Sequence, residues 1–219
     1  MILDYINKFR EKYNQQRGQR FLSRGQREKA YKCFEKALLI NNDYVNQFNM
    51  ALVLIAMARH KEAVAFLERT LEKYPDNELV LTTLGEAYSV LRDWDKALEC
   101  FMHLTSDHPN NALYQKMLKR SQDVSAREKY ARSRELFFKG MNLQQAKDYK
   151  GSTEALIESA ELDSENAMIY NTIGYVMMMD RRSKEEIIPY FEKAVILSPQ
   201  NEGYKHNLAQ MKLALKNKK

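Results

Sequence analysis

The sequence predicts an all-α fold made of about five helix–turn–helix repeats, and three observations indicate it. First, small residues twelve positions apart recur at intervals near 34, in the pairs Gly18 and Ala30, Ala51 and Ala63, Gly85 and Ala97, and Gly140 and Ser152. Second, a bulky residue follows each pair by four positions: Phe34, Leu67, Phe101 and Leu156. Third, the 219 residues include only seven glycines and four prolines, and β-branched residues show no strand-like alternation.

Each element of the repeat has a physical explanation. Small residues facing each other let two short antiparallel helices approach closely, and the bulky residue fills the adjoining gap. A proline ends the second helix of three copies, at Pro75, Pro109 and Pro199. A fifth copy begins at Gly174 and has Ile187 thirteen positions later, so its turn at 180–182 is predicted to be one residue longer.

The third copy carries the most specific motif. It resembles the tetratricopeptide (TPR) pattern, with leucine in place of the opening tryptophan, at Leu81, Leu84, Gly85, Tyr88, Ala97, Phe101 and Pro109. Looser copies lie at 11–43, 44–77, 133–166 and 167–201. The resemblance implies a right-handed α-solenoid of about five TPR-like repeats and a C-terminal capping helix.

The repeats predict three regions along the chain. Residues 1–111 hold repeats one to three, residues 112–132 form an irregular helical junction, and residues 133–219 hold repeats four and five and the capping helix. Within the junction, residues 112–118 resemble a first helix without a second, and Ser125 with Glu128 predicts a capping box at a new helix start. The stretch 121–125 is either a hinge or a rigid, irregular turn. The capping helix is predicted to pack through Tyr204, Leu208, Met211 and Leu215.

Charge is unevenly distributed along the chain. The net charge is +6, yet residues 1–30, 112–134 and 205–219 each carry +5, which leaves −9 elsewhere. A basic stripe on the first helix, at Arg10, Arg17, Arg20 and Arg24, is predicted to be a solubilising cap, with an acidic protein, nucleic acid or anionic lipid as alternatives. We expect no nucleic-acid binding, because we find no aromatic residues interleaved with the stripe.

The sequence indicates a non-catalytic protein without a cofactor. It has no phosphate-binding loop, dinucleotide-binding glycine turn or nucleophile elbow. The four histidines are His60, His103, His108 and His206. We expect no metal site, because we find no second histidine or carboxylate at metal-binding helical spacing from any of them. Cys33 and Cys100 occupy equivalent places in different repeats and are predicted to be separate, reduced core thiols.

Two sequence features bear on localisation. No run approaches the length of about 18 apolar residues that a membrane span needs. The start MILDYINKFREK has an acidic fourth residue and frequent charges, unlike a signal peptide. We therefore expect a cytoplasmic protein, and a removed targeting segment stays an open alternative.

The resemblance to TPR proteins implies a binding site on the first helices, which line the concave groove of such solenoids. The residues at groove-facing places are Val45, Phe48, Asn49, Leu52, Ile55, Leu79, Thr83, Phe137, Met141, Met168, Asn171, Tyr175, Met178, Met179 and Asn207. Most are apolar, and methionine suits adaptable surfaces, so an exposed apolar groove is predicted. The alternative is that the stripe is core.

These observations predict an adaptor that binds an apolar or amphipathic helical segment of another protein. Amide and hydroxyl groups of Asn49, Thr83, Asn171 and Asn207 would hold the backbone of the partner. The carboxylate clamp of chaperone-tail-binding TPR domains is not expected, because only Asn49 matches it. A second hypothesis is a self-assembling scaffold, in which the basic N-terminal helix of one copy docks on the acidic repeats of the next to form homo-oligomers.

Overall fold

A computed structural model describes the backbone of residues 2–216 and the side chains of residues 3–214. Over this range every regular element is an α-helix, which confirms the predicted all-α class. The elements are α1 (Ile2–Ser23), α2 (Arg27–Ile40), α3 (Tyr44–Ala56), α4 (His60–Lys73), α5 (Glu78–Leu91), α6 (Trp94–Asp107), α7 (Ala112–Gln122), α8 (Val124–Gln145), α9 (Tyr149–Leu162), α10 (Ala167–Met179), α11 (Lys184–Leu197) and α12 (Glu202–Lys216).

The predicted repeats correspond to consecutive helix pairs. Repeats one to three are α1 with α2, α3 with α4, and α5 with α6, and repeats four and five are α8 with α9 and α10 with α11. Short polar side chains begin many of these helices. Asp43 and Asn77, for example, accept hydrogen bonds from the backbone N–H groups of Asn46 and Val80, at 2.9 and 3.1 Å. Ser183 and Glu186 form a reciprocal capping box at the start of α11.

The bulky residue, which follows the glycine by sixteen positions, packs directly on it. A Cβ atom built on Gly18 would lie 2.5 Å from the ring of Phe34, and one on Gly85 would lie 2.7 Å from the ring of Phe101. Gly140 meets Leu156 at the same 2.7 Å. At these places the facing side chain therefore occupies the space that a methyl group would need.

Repeat four departs from the pattern in a way that the structure explains. Ser152 stands where repeats one to three have alanine, and it is fully buried. Its hydroxyl donates a hydrogen bond of 2.8 Å to the backbone carbonyl of Gly140 on the facing helix. The added oxygen is thus satisfied, and the close helix contact is kept.

The chain forms two compact units, one extending up to Arg127 and the other starting at Glu128. The first unit contains α1 to α7, and its core is formed by side chains such as Phe34, Leu54, Leu67 and Phe101. As predicted, α7 covers repeat three, because it packs on α6 and buries Tyr114 and Met117.

The second unit contains most of α8 together with α9 to α12. Its largest fully buried side chains are Leu136, Leu156, Ile169, Ile173 and Ile187. The capping helix α12 packs on α11 and buries Met211, as its apolar stripe predicts. The side chain of Leu215, the last member of that stripe, lies outside the described residues.

The start of α8 differs from the prediction. The prediction of a capping box at Ser125 and Glu128 is wrong, because α8 already begins at Val124. Asp123 takes the capping role instead: its carboxylate accepts the N–H of Ala126 at 2.7 Å. An aspartate caps as well as a serine does, and this one comes first in the chain. The hinge at 121–125 stays a prediction.

Two further expectations concern the cysteines and the membrane. Cys33 and Cys100 are free and buried, as predicted. None of the helices described between residues 2 and 216 combines the length and the apolar character needed to cross a membrane.

Candidate partner-binding surfaces

The most exposed apolar surface among the predicted site residues lies on α10. We call it the α10 stripe, and it consists of Met168, Tyr175, Met178 and Met179, which are exposed by 39, 45, 43 and 38%. The opposite side of the same helix is core, because Ile169, Ile173, Val176 and Met177 are buried. Helix α10 is therefore apolar on both sides, and only one side is covered within its unit.

Polar groups border the α10 stripe. Asn207 on α12 donates a hydrogen bond of 2.9 Å to the side-chain oxygen of Asn171 on α10. The side-chain amide of Gln144 on α8 contacts the sulfur of Met179 at 3.4 Å. The two asparagines thus bind each other, and each amide keeps further hydrogen-bonding capacity.

Phe137, predicted as a groove residue, is instead part of the core. It is only 7% exposed. Its ring packs edge-on against Phe138, with centroids 5.7 Å apart, and the guanidinium of Arg134 lies 5.0 Å from both rings. The ring therefore leaves little area that a partner could contact. Met141, one turn later, is half-buried.

The first unit carries a second set of predicted residues, which we call the α3–α5 face. It consists of Val45, Phe48, Leu52, Ile55 and Leu79. The four residues on α3 are half-buried, and Phe48 and Ile55 pack against the core. Only Leu79 on α5, at 60% exposed, projects freely. This face is therefore partly core, which agrees with the alternative interpretation of the predicted groove residues.

Two polar residues accompany the α3–α5 face. Thr83 uses its hydroxyl hydrogen within its own helix, donating to the carbonyl of Leu79 at 2.7 Å. Asn49 is only 7% exposed, and its side-chain nitrogen has no hydrogen-bond partner among the described residues. A buried donor without an acceptor costs about 1–3 kcal/mol, and such groups often have a functional explanation.

The predicted site residues therefore fall into two separate sets. Those from Val45 to Thr83 belong to the first unit, and those from Phe137 to Asn207 belong to the second. Within each set, residues of one helix recur at helical spacing, but Asn49 and Phe137 are buried. The structure supports an exposed apolar surface most clearly for the α10 stripe.

Sequence analysis missed an exposed apolar patch at the start of α1. Its members include Tyr5, Ile6 and Phe9, which share one side of the helix and are 75, 43 and 67% exposed. Residues 3–10 are all exposed, because α1 has 22 residues and α2, which packs against it, has only 14. The sequence shows apolar residues at helical spacing here, on a helix that is longer than the helix packed against it.

Aromatic residues do lie along the basic stripe, so the expectation that they are missing was wrong. Tyr13 and Phe21 are interleaved with the basic stripe, and the guanidinium of Arg17 lies 5.9 and 5.4 Å from their ring centroids. These rings engage the arginine as cation–π partners.

The expectation that no histidine has a carboxylate at helical spacing was also wrong. Asp107 follows His103 by four residues on α6, and Asp76, between α4 and α5, faces the same imidazole. The three ligand atoms lie within 4.8 Å of one another. The i, i+4 pair was visible in the sequence, whereas the approach of Asp76 depends on tertiary packing.

Comparisons with known proteins agree with the repeat architecture. Models of the tetratricopeptide repeat match residues 12–44 and 54–120. No curated protein matches the chain in sequence.

Several solved structures are similar to this chain. The TPR2AB domain of yeast Sti1, titled as a pHSP90 complex, is 18% identical, with 94% of this chain and 84% of that chain covered and a TM-score of 0.46. MamA 41-end from Desulfovibrio magneticus RS-1 is 16% identical, with coverages of 88 and 97% and a TM-score of 0.44. At these values the likenesses carry no functional argument.

Family assignment thus depends on the matched repeats and on the helix pairs with their glycine contacts. Residues 12–44 and 54–120 are tetratricopeptide repeats, and the helix pairs of the second unit show the same contact of a glycine with a bulky residue, at Gly140 and Gly174.

Proposed function

We propose that this protein is a non-catalytic adaptor that binds an apolar or amphipathic helical segment of another protein on the α10 stripe. The observation that carries the proposal is the exposure of Met168, Tyr175, Met178 and Met179 along one side of α10. Large apolar side chains clustered in water favour association, and methionine adapts to varied partners. TPR proteins as a family use their first helices in this way, and α10 is the first helix of repeat five.

The polar border of the stripe supports a bound backbone. Asn171 and Asn207 retain donors and acceptors beyond the hydrogen bond that they share. A helical segment of a partner would place apolar side chains between the methionines and its polar side against these amides. Burial of two or three side chains at about 2 kcal/mol each, less the cost of ordering, suits micromolar affinity.

The α3–α5 face is a secondary contact in this proposal. Leu79 would supply apolar area, and the unpaired amide nitrogen of Asn49 would gain an acceptor if its side chain turned toward a partner carbonyl.

Selection from a displayed library of random peptides tests the proposal. We expect enriched peptides to carry apolar residues at helical spacing. Tyr175→Asp and Met178→Asp should each weaken their binding about tenfold or more, since each places a charge where an apolar contact worth about 2 kcal/mol is lost. Fluorescence anisotropy with a labelled peptide measures the change.

The chain offers a matched control on the second helix of the same repeat. Ile196 on α11 is 71% exposed, so Ile196→Asp makes the same kind of change away from the stripe. We expect it to leave binding unchanged. Equal losses in Ile196→Asp and Tyr175→Asp, or selected peptides without an apolar pattern, would contradict the proposal.

A second candidate function is self-assembly into homo-oligomers through α1. The exposed patch at Tyr5, Ile6 and Phe9 beside the basic stripe favours it, because none of the helices described in this unit covers this part of α1. Sedimentation velocity at low and high salt tests it. Docking of a basic helix on acidic repeats should weaken as salt screens the charges, and a monomer at both salt concentrations would exclude it.

A further inference from the structure

We propose that Asp76, His103 and Asp107 form a binding site for a divalent transition-metal ion such as zinc. The Nε2 atom of His103 lies 3.2 Å from a carboxylate oxygen of Asp76 and 3.5 Å from one of Asp107. One imidazole nitrogen and two carboxylate oxygens therefore lie within 4.8 Å of one another. This site is independent of the proposed partner-binding surfaces.

The spacing of the three atoms matches the needs of zinc. A tetrahedral zinc ion at about 2.0–2.1 Å from each ligand holds neighbouring ligand atoms about 3.3 Å apart. The two distances from His103 lie on either side of that value. The remaining pair, the two carboxylate oxygens, lies within 4.8 Å and can close by rotation of exposed side chains.

Charge and chemistry favour a cation over the metal-free arrangement. A neutral imidazole can present a single hydrogen at Nε2, so it cannot fully satisfy two carboxylates at once. A divalent ion would contact all three atoms and neutralise both negative charges. The mixed nitrogen and oxygen set suits zinc, whereas calcium and magnesium prefer oxygen ligands alone.

The fold supplies the three ligands from one helix and one connection between helices. His103 and Asp107 lie one turn apart on α6, so they share one side of the helix. Asp76 lies in the short connection between α4 and α5, directly before the capping residue Asn77. A bound ion would thus tie the connection between repeats two and three to the second helix of repeat three. The partial exposure of His103, at 38%, leaves an open position for water.

Isothermal titration of the tag-free chain of 219 residues with zinc chloride tests the proposal. We expect a saturable site, with affinity reduced at least about tenfold by His103→Ala and by Asp107→Asn, because loss even of outer-shell groups costs 10- to 100-fold at metal sites. Thermal unfolding should shift upward with zinc in the unsubstituted chain and not in His103→Ala. Circular dichroism checks that each variant is folded.

His108 provides the matched control. It lies at the end of the same helix but contacts Glu78, at 2.9 Å, instead of the cluster. His108→Ala should bind zinc as the unsubstituted chain does, and excess calcium should not displace the ion. Absence of saturable zinc binding, retention of full affinity in His103→Ala, equal loss in His108→Ala, or displacement by calcium would each overturn the assignment.

Discussion

At the scale of single residues, one backbone conformation recurs in the turn of every repeat. Gly25, Ala58, Arg92, Lys147 and Arg181 all adopt positive φ angles between 59 and 69°. This left-handed conformation suits glycine, but four of the five turns use residues with a side chain. Each of these four turns therefore holds strain that a glycine would relieve.

Lys147→Gly should stabilise the protein by about 0.5–1 kcal/mol, because relief of the left-handed strain exceeds the added entropy of the unfolded chain. Lys147 is exposed and lies between α8 and α9. The control is Lys139→Gly, an exposed lysine inside α8, which should destabilise by about 1 kcal/mol. Urea unfolding followed by far-ultraviolet circular dichroism measures both changes. A decrease in stability for both variants would refute the strain argument.

A second residue-scale prediction concerns Cys100. Burial raises the pKa of its thiol to about 12 from the usual 9.0, with the charge of Glu99 adding to the shift. As pH rises, the thiol ionises in the unfolded chain before it ionises in the folded protein. The stabilising contribution of the buried thiol is therefore complete below pH 9 and is lost between pH 9 and 12. The loss is at most about 1.4 kcal/mol per pH unit. Across this pH range, the free energy of unfolding of Cys100→Ala, measured with urea, should decline less steeply than that of the unsubstituted chain. Equal declines in the two proteins would contradict the assignment.

At the scale of helix pairs, the contact between glycine and the bulky residue governs stability. Gly85→Ala would place a methyl group 2.7 Å from the ring of Phe101 and 3.1 Å from the Cβ of Cys100. We expect a loss of about 1–3 kcal/mol from overpacking, measured by urea unfolding.

Repeat two suggests a rescue of this variant. It carries Ala51 where repeat three has Gly85, and Leu67 where repeat three has Phe101, and both are fully buried. Gly85→Ala combined with Phe101→Leu reproduces that pair, so the double variant should recover part of the stability lost by Gly85→Ala alone. Strictly additive losses would show that the two positions do not share one contact.

At the scale of the whole molecule, the division at residues 127 and 128 predicts independent folding of the first unit. A fragment of residues 1–127 should unfold cooperatively. A fragment of residues 1–110 lacks α7 and with it the buried Tyr114 and Met117, so it should be less stable by several kcal/mol at about 1.5–3 kcal/mol for each side chain. Chemical unfolding followed by Trp94 fluorescence compares the two. Equal stability would show that α7 does not complete the core of repeat three.

The amino-acid sequence by itself determined the repeat, the helix pairs and their order, because close helix packing requires small residues at a regular spacing and leaves that spacing visible. It also placed the apolar residues of α10 at helical intervals. Tertiary structure alone decided which of them are exposed. Phe137 and Met168 are both apolar residues of first helices, yet only packing against neighbouring helices covers Phe137. The approach of Asp76 to His103 is likewise set by the folding of distant segments onto each other, because local periodicity describes one helix at a time.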